Sequence, residues 1–133
     1  LKACCARLNP GGRLLVRCPV ADATLWKEKQ ALWVQLDAPR HLSIPSTQGF
    51  VGAAQRSGFE MKEILFDSTA FQFWGTGLYE HGEKLDRSKI NTYFTAKQLA
   101  DWEQQAIHYN QTGKGDQACF FCVKPREKVE NQA

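Results

Sequence analysis

Apolar runs separated by glycine, proline and polar residues predict three strands along the chain. The run LLV at 14–16 follows the turn NPGG, a second strand is predicted from about Phe59 to Phe66, and QACFFCVK predicts a third near the end. A nearly continuous apolar run is typical of a strand covered on both faces, so the first strand is predicted to be covered in this way, as in a parallel sheet.

Two helices have clear boundary signals. Ser46 is a predicted N-cap for a helix with apolar residues between 50 and 54, and Gly58 is its predicted C-cap. Thr95 and Gln98 have the spacing of a capping box, which predicts another helix running to about Asn110. Helices alternating with strands predict an α/β fold.

Two longer segments separate these elements. Residues 20–45 form a polar and aromatic connection with one predicted helical turn around 25–32, and their length makes them a candidate functional loop. After Asp67 the apolar pattern loosens, so residues 68–116 are interpreted as an insertion that forms a lid or a pocket wall. Residues 1–125 are predicted to form one unit and residues 126–133 a flexible tail.

The first segment, LKACCARL, predicts the last turns of an amphipathic helix without an N-cap. Because the first residue is also not methionine, we expect a further segment upstream of Leu1.

The composition is that of an ordinary globular domain, with 43% hydrophobic and 23% charged residues. The net charge of +3 arises from 17 basic and 14 acidic residues that are scattered along the chain. A clustered basic surface is typical of nucleic-acid binding, so nucleic acid is not an expected partner. No apolar run reaches the roughly 20 residues that cross a bilayer, so no membrane partner is expected either.

The five cysteines are an odd number, which favours reduced thiols and a cytoplasmic location over a disulfide framework. Cys119 and Cys122 have the spacing of half a metal site. Residues three apart on a strand face opposite sides, however, and no second pair of ligands follows. They are interpreted as core cysteines, and no metal site is predicted.

Arg17 interrupts the apolar run near the end of the first strand. Because side chains alternate along a strand, Leu14, Val16 and Cys18 share one face, while Leu15 and Arg17 share the other. An arginine on a buried face needs an anionic partner. Alternatively, its side chain reaches solvent at the strand end.

Four motifs carry a resemblance to a known family: LNPGGRLLV, RSGFEM, DAPRHL and DSTAFQFWG. Together they resemble the C-terminal half of class I S-adenosylmethionine-dependent methyltransferases, in particular bacterial methyltransferase-domain proteins of types 11 and 23. In that family an L-x-P-G-G turn leads into the fifth strand, a helix ending in G-F leads into the sixth, and an antiparallel seventh strand lies between them. The resemblance covers about residues 1–125. It implies a partial Rossmann-like methyltransferase sheet without the N-terminal half of the fold.

The resemblance implies S-adenosylmethionine as cofactor, but the motifs that bind it are absent from this sequence. The family builds that site from a glycine-rich loop and an acidic residue in its first half. The segment TGKGD at 112–116 is no substitute, because it precedes a strand instead of joining a strand to a helix. No cofactor-binding residue is assigned, and the chain alone is expected to be inactive.

The stretch DAPRH at 37–41 is the candidate catalytic segment, since open α/β sheets bind ligands outside the carboxyl ends of their parallel strands. His41 is the candidate base, because its ordinary pKa of about 6.5 suits proton removal near neutral pH. Arg40 is a candidate to hold an anionic group of the acceptor, and Asp37 to orient either residue. Alternatively the stretch is only a turn, in which Arg40 pairs with Asp37 and His41 caps the next turn.

A second group of residues is placed by the predicted topology around the strand ends and is interpreted as substrate-binding. Its members are Arg17, Trp33, Gln35, Asp67, Phe71 and Trp74. For Phe71 and Trp74 the alternative is core packing, and for Asp67 it is a helix or turn cap. His81 and His108 are weaker candidates, because no partner lies near them in sequence.

These expectations lead to two competing functions. The first is methyl transfer to a small polar or glycosyl acceptor, for which the chain supplies the acceptor side. The second is a cofactor-free relic that acts as a binding or dimerisation module. A hydrolase is disfavoured because no nucleophile motif is present. In either case the strand Arg13–Val20 is expected to leave an apolar sheet edge through which the chain self-associates.

Overall fold

The computed structural model describes residues 1–126, and it contains three strands and six α-helices there. The strands are β1 (Arg13–Pro19), β2 (Glu60–Phe66) and β3 (Gln117–Val123). The helices are α1 (Lys2–Arg7), α2 (Thr24–Lys29), α3 (Thr47–Arg56), α4 (Phe71–Glu80), α5 (Ile90–Tyr93) and α6 (Ala96–Gln111). Short 3₁₀ turns cover Gln30–Leu32, Val34–Leu36 and Arg87–Lys89. Of the predicted tail, residues 127–133 lie outside the described part of the chain.

The three strands form one sheet in the order β1-β3-β2, and the α/β class is confirmed. β3 runs antiparallel to both neighbours, so β1 and β2 point in the same direction. The register pairs Pro19 with Gln117 and Phe66 with Ala118. The start of β3 therefore lies beside the carboxyl ends of β1 and β2.

One face of the sheet packs against α1 and α3. As the alternation predicts, Leu14, Val16 and Cys18 contact the buried cluster on this face. At its centre Phe120 is fully buried and stacks on Phe50 of α3, with ring centroids 4.0 Å apart. This cluster is the main source of hydrophobic stabilisation for the sheet.

The opposite face of the sheet is open within residues 1–126. Leu15 is 54% exposed and Leu65 is 50% exposed, and Leu15 and Phe121 line an open groove on this face. The prediction that the first strand is covered on both faces is therefore wrong for the described part of the chain. Helices pack on the face of β1 that carries Leu14, Val16 and Cys18, whereas the other face also carries the charged Arg13 and Arg17.

A second buried cluster orders the connection between β1 and α3. Trp33 is only 1% exposed and belongs to a cluster with Leu25, Phe73 and Ala106, which joins this connection to α4 and α6. Trp26 also lies 5.6 Å from Trp33 between ring centroids. The predicted helical turn is present as α2 and the 3₁₀ turn that follows it.

The two N-capping signals are confirmed, whereas the C-cap of α3 is Ser57, one residue before the predicted Gly58. The Ser46 side chain accepts a hydrogen bond from the Gly49 backbone, and Thr95 and Gln98 form the predicted capping box. Gly58 follows α3 with φ = 92°, a left-handed conformation that glycine adopts without steric cost.

The structure differs from the prediction directly after Asp67, where the helix α4 stands in place of irregular chain. Gly75 and Gly77 lower the helix propensity of this segment. They are nevertheless required by packing, since a Cβ at Gly75 would lie 2.8 Å from Val34 Cγ2 and one at Gly77 would lie 2.7 Å from Phe94 Cζ. Tertiary contacts thus override the local preference. Among residues 1–126, no helix has the length and apolar character needed to cross a bilayer.

Candidate functional site

An ion pair joins the carboxyl ends of β1 and β2. Arg17 Nε donates to Asp67 Oδ2 at 2.6 Å, and the two side chains are 52% and 29% exposed. The other carboxylate oxygen of Asp67 accepts from Gln117 Nε2 at 3.2 Å. Arg17 therefore has an anionic partner and also remains half exposed, so it combines features of both sequence interpretations. Pairs with this exposure contribute about 0–1 kcal/mol to stability.

The chain leaving β2 is held in place by α6. The Asn110 side chain accepts from the Ser68 backbone N–H at 3.0 Å and donates to its carbonyl oxygen at 2.8 Å. The Ser68 hydroxyl in turn accepts from the backbone N–H of Gln117 at 3.0 Å. These bonds satisfy a buried polar segment and fix the end of β2 beside the start of β3.

Asp116 is a buried carboxyl group immediately before β3. It is 1% exposed, and its Oδ2 accepts a hydrogen bond from Trp33 Nε1 at 3.2 Å. Burial raises the pKa of Asp116 above its usual range, while hydrogen bonds from Ser68, Trp33 and Gln35 act in the opposite direction. A carboxyl group with a raised pKa in a cleft is a candidate functional group.

A cavity of about 230 Å³ lies at the carboxyl ends of β1 and β2, next to the ion pair and Asp116. Polar and aromatic side chains line it, including Arg17, Gln35, Phe71, Gln72, Arg87 and Asp116. Three residues predicted from the sequence are therefore brought together here: Arg17, Gln35 and Phe71. Trp33 and Asp67 are not in the cavity lining. They form hydrogen bonds to two residues that are, Asp116 and Arg17 respectively.

Gln72 is the most unusual residue of the cavity wall. It is 1% exposed, and its Nε2 donates to the Thr69 carbonyl oxygen at 3.4 Å. Its Oε1 is buried and has no hydrogen-bond partner among residues 1–126. Leaving a buried acceptor unpaired costs about 1–3 kcal/mol, so such groups require an explanation.

Trp74 lies beside the cavity and contacts two of its lining residues. Its ring packs edge-on against Phe71, with centroids 4.9 Å apart. The Arg87 guanidinium lies 5.8 Å from the centroid of the Trp74 ring, in cation–π geometry. Trp74 thus connects α4 to the 3₁₀ turn that carries Arg87.

The stretch DAPRH forms a turn outside the cavity lining. Arg40 Nη2 donates to Asp37 Oδ1 at 2.7 Å, and the Arg40 side chain is 76% exposed. Asp37 has φ = 39°, which asparagine and aspartate tolerate better than other side chains. The Arg40–Asp37 pair is the one that the turn interpretation predicts, whereas His41 contacts the preceding Gln35 backbone and not the next turn.

His41 contacts the cavity wall indirectly. Its Nδ1 lies 2.8 Å from the Gln35 carbonyl oxygen. A carbonyl only accepts, so Nδ1 carries the proton in this contact and Nε2 is the basic nitrogen of the neutral ring. His41 is therefore placed to fix the backbone of Gln35.

The remaining candidates lie elsewhere. His81 ends α4 and stacks on Tyr93 at 4.7 Å between centroids, whereas His108 is exposed on α6. All five cysteines are free. Cys122 belongs to the core cluster, and Cys119 lies on the other face, 3.5 Å from Asp67. Residues 1–126 contain no group of three or more side chains suited to hold a metal ion.

Sequence reasoning missed Asp116, Gln72 and Arg87 as members of the site. Asp116 lies in the loop NQTGKGD, whose composition indicates only a turn. Gln72 and Arg87 lie in the segment 68–116, whose loose apolar pattern predicts an irregular insertion. A glutamine within an aromatic run was the one available signal, since FQFW places a polar side chain where its neighbours are buried.

The fold and the cavity define an α/β protein with a polar cleft at the carboxyl ends of two parallel strands, the usual ligand position in open α/β sheets. No protein-family profile matches the sequence, and no curated protein sequence matches it. A solved structure described as a "putative sarcosine dimethylglycine methyltransferase from Galdieria sulphuraria" is similar at 12% identity and a TM-score of 0.43. The alignment covers 93% of this chain and 46% of that one, so this chain spans about half of that protein's length.

Proposed function

We propose that this chain is the acceptor-side half of an S-adenosylmethionine-dependent methyltransferase that acts on a small polar or glycosyl acceptor. The strand arrangement is the observation that carries the proposal. A last strand that runs antiparallel between two parallel strands is the arrangement of the C-terminal half of that family. The turns LNPGG and SGF stand directly before β1 and β2, where the resemblance requires them.

The described residues do not fit the cofactor itself. The cavity of about 230 Å³ is below the roughly 300–1,000 Å³ of typical ligand pockets, and S-adenosylmethionine is a large ligand. In addition, the glycines of NPGG precede β1 instead of joining a strand to a helix, so they form no phosphate- or nucleotide-binding turn. The proposal therefore assigns cofactor binding to the other half of the methyltransferase fold.

Methyl transfer requires the acceptor to be aligned and water to be excluded, and in some cases a proton to be removed. Arg17, Gln35 and Phe71 are assigned to acceptor binding. Asp67 orients Arg17 through the ion pair, and Trp33 and Trp74 support the wall from behind. His41 is retained as the candidate base on its chemistry, although its ring contacts the Gln35 backbone outside the cavity lining, and Arg40 and Asp37 stabilise the turn that holds it.

The test compares this chain with the same chain joined to its in-frame upstream coding sequence. We expect the joined protein to bind S-adenosylmethionine in a calorimetric titration and this chain alone to show no binding. Equal binding by the two proteins would contradict the division of the fold into two halves. Failure of the joined protein to bind would contradict the methyltransferase assignment.

The role of His41 is tested in the joined protein with labelled S-adenosylmethionine and a panel of small hydroxy acids and sugars. We expect His41→Ala to lower methyl transfer by about 100-fold, the usual minimum for loss of a general base. His108→Ala is the matched control and should retain full activity. Equal activities of the two variants would remove His41 from the mechanism.

A second function, a cofactor-free binding or dimerisation module, is favoured by the open face of the sheet. Leu15 and Leu65 are each at least half exposed on that face, and Leu15 pairs with Phe121 of β3. Apolar residues grouped in this way are typical of a surface that is covered by another polypeptide.

A further inference from the structure

We propose that the cavity at the ends of β1 and β2 binds a small molecule that carries both an anionic group and an O–H or N–H donor. The inference deepens the proposed function by giving the chemical class of the acceptor, and it rests on that function only for the ligand's role in methyl transfer. Binding itself follows from the residues of the cavity.

The need for a donor follows from Gln72. Its Oε1 is the buried acceptor without a partner among residues 1–126, and the residue lines the cavity. The contact from Nε2 to Thr69 fixes which end of the amide is the acceptor. A ligand hydroxyl or amine would satisfy Oε1, and the nearby Asp116 carboxyl group offers a second polar partner on the same wall.

The need for an anionic group follows from the two arginines. Arg17 uses its Nε for Asp67, which leaves its terminal N–H groups available, since a guanidinium has five donors. Arg87 forms no ion pair within residues 1–126 and is held over the Trp74 ring. Planar donors of this kind suit a carboxylate. Asp116 also lines the cavity, and burial raises its pKa, which favours the neutral form of this carboxyl group relative to an exposed one.

The size of the cavity limits the ligand. A volume of about 230 Å³ corresponds to about eight water molecules at roughly 30 Å³ each, so a ligand of fewer than about ten non-hydrogen atoms fits. Glycerate meets all three conditions, because it carries a carboxylate and two hydroxyl groups on three carbons. Propionate lacks the hydroxyl groups and glycerol lacks the charge, so these compounds form a matched set.

The experiment is a titration of the chain with glycerate, propionate and glycerol, followed by amide chemical shifts in NMR spectra. We expect glycerate to bind with a Kd of about 1 mM and at least tenfold more tightly than either control, with shifts confined to the cavity residues. Equal affinity for the three compounds, or no binding of glycerate, would overturn the proposal. No methyl donor is present, so this result and the test of the proposed function can fail separately.

Two variants test which residue binds the hydroxyl groups of the ligand and which binds its carboxylate. Gln72→Met keeps the length of the side chain without the amide, and we expect it to weaken glycerate binding about fivefold. Arg87→Gln should weaken glycerate binding about tenfold and leave glycerol binding unchanged. Gln55→Met and Arg56→Gln, both exposed on α3, are the matched controls and should bind as the wild type does.

Wild-type affinity for glycerate in both cavity variants would overturn the assignment. If Gln72→Met does not fold, Arg87→Gln decides the question alone, because its side chain is exposed and its loss leaves no buried gap.

Discussion

Trp33 Nε1 donates a hydrogen bond to Asp116 Oδ2 at 3.2 Å, across 83 positions of the sequence. Both residues are 1% exposed. The bond joins the connection after β1 to the start of β3, and it holds a carboxyl group against the wall of the cavity. This hydrogen bond therefore connects the second core cluster, which contains Trp33, to the candidate site, which contains Asp116.

The first prediction concerns the pH dependence of stability. Because the pKa of Asp116 is raised in the folded chain, the folded state holds this proton more tightly than the unfolded state does. The resulting stabilisation is fully present below the unfolded pKa of about 3.9 and is lost as pH rises through the folded pKa. Asp116→Asn removes this titration. We expect the free energy of unfolding of the variant to rise relative to wild type as the pH increases above the unfolded pKa of about 3.9.

Urea unfolding at several pH values measures this difference. Asp101→Asn, an exposed change on α6, is the control and should follow the pH trend of the wild type. A difference between Asp116→Asn and wild type that stays constant with pH would contradict the assignment to Asp116.

The second prediction concerns Trp33. Trp33→Phe removes the indole N–H and leaves the buried Asp116 carboxyl group without one of its donors. The lost bond and the lost volume should together lower the free energy of unfolding by about 2–4 kcal/mol.

Trp102→Phe is the control, since Trp102 packs against Phe73 and Phe94 and is partly exposed. Its expected loss in urea unfolding is smaller, about 1 kcal/mol. Equal losses would show that the hydrogen bond contributes nothing beyond packing.

The third prediction uses two helical glycines with different surroundings. A Cβ at Gly77 of α4 would lie 2.7 Å from Cζ of the buried Phe94 ring, whereas a Cβ at Gly52 of α3 would meet only the flexible end of Arg56, at 3.0 Å. Gly52→Ala should therefore stabilise the chain by about 0.5–1 kcal/mol, as expected for alanine in a helix. Gly77→Ala should destabilise it by about 1–3 kcal/mol through overpacking. Thermal unfolding distinguishes these signs, and stabilisation by both changes would refute the close packing of α4.

The helix boundaries and strand positions could be predicted from the sequence because their signals are local. Ser46, Gly58 and the pair Thr95 and Gln98 act on backbone groups within four residues, so the sequence contains the whole interaction. The helix α4 could not be predicted in this way. Its glycines are unfavourable locally, and they are accounted for by Val34 and Phe94, which come from other parts of the chain.

The candidate site was predictable only in part, for a related reason. Arg17 and Asp67 could be placed together because each lies at the carboxyl end of a strand, and the topology brings these two strand ends close together. Asp116 and Gln72 have no such signal, because their significance lies in burial and in an unpaired oxygen. His41 had a strong local signal, and its contact is with the Gln35 backbone behind the cavity wall.

The last prediction concerns self-association through the strand Arg13–Val20. Within the described part of the chain, β1 pairs on one side only, and Leu15 is 54% exposed on the open face of the sheet. Association would combine backbone pairing along β1 with burial of the open face, to which Leu15 alone contributes about 1.5–3 kcal/mol, and we expect the chain to associate at tens of micromolar. Leu15→Lys should weaken this association at least tenfold, since a lysine at a sheet edge opposes pairing. Ile107→Lys is the matched control, because Ile107 is a similarly exposed apolar residue, at 49%, on α6 and not on a strand. Analytical ultracentrifugation measures all three proteins. A wild-type chain that sediments as a clean monomer at these concentrations, or equal behaviour of the two lysine variants, would contradict association through β1.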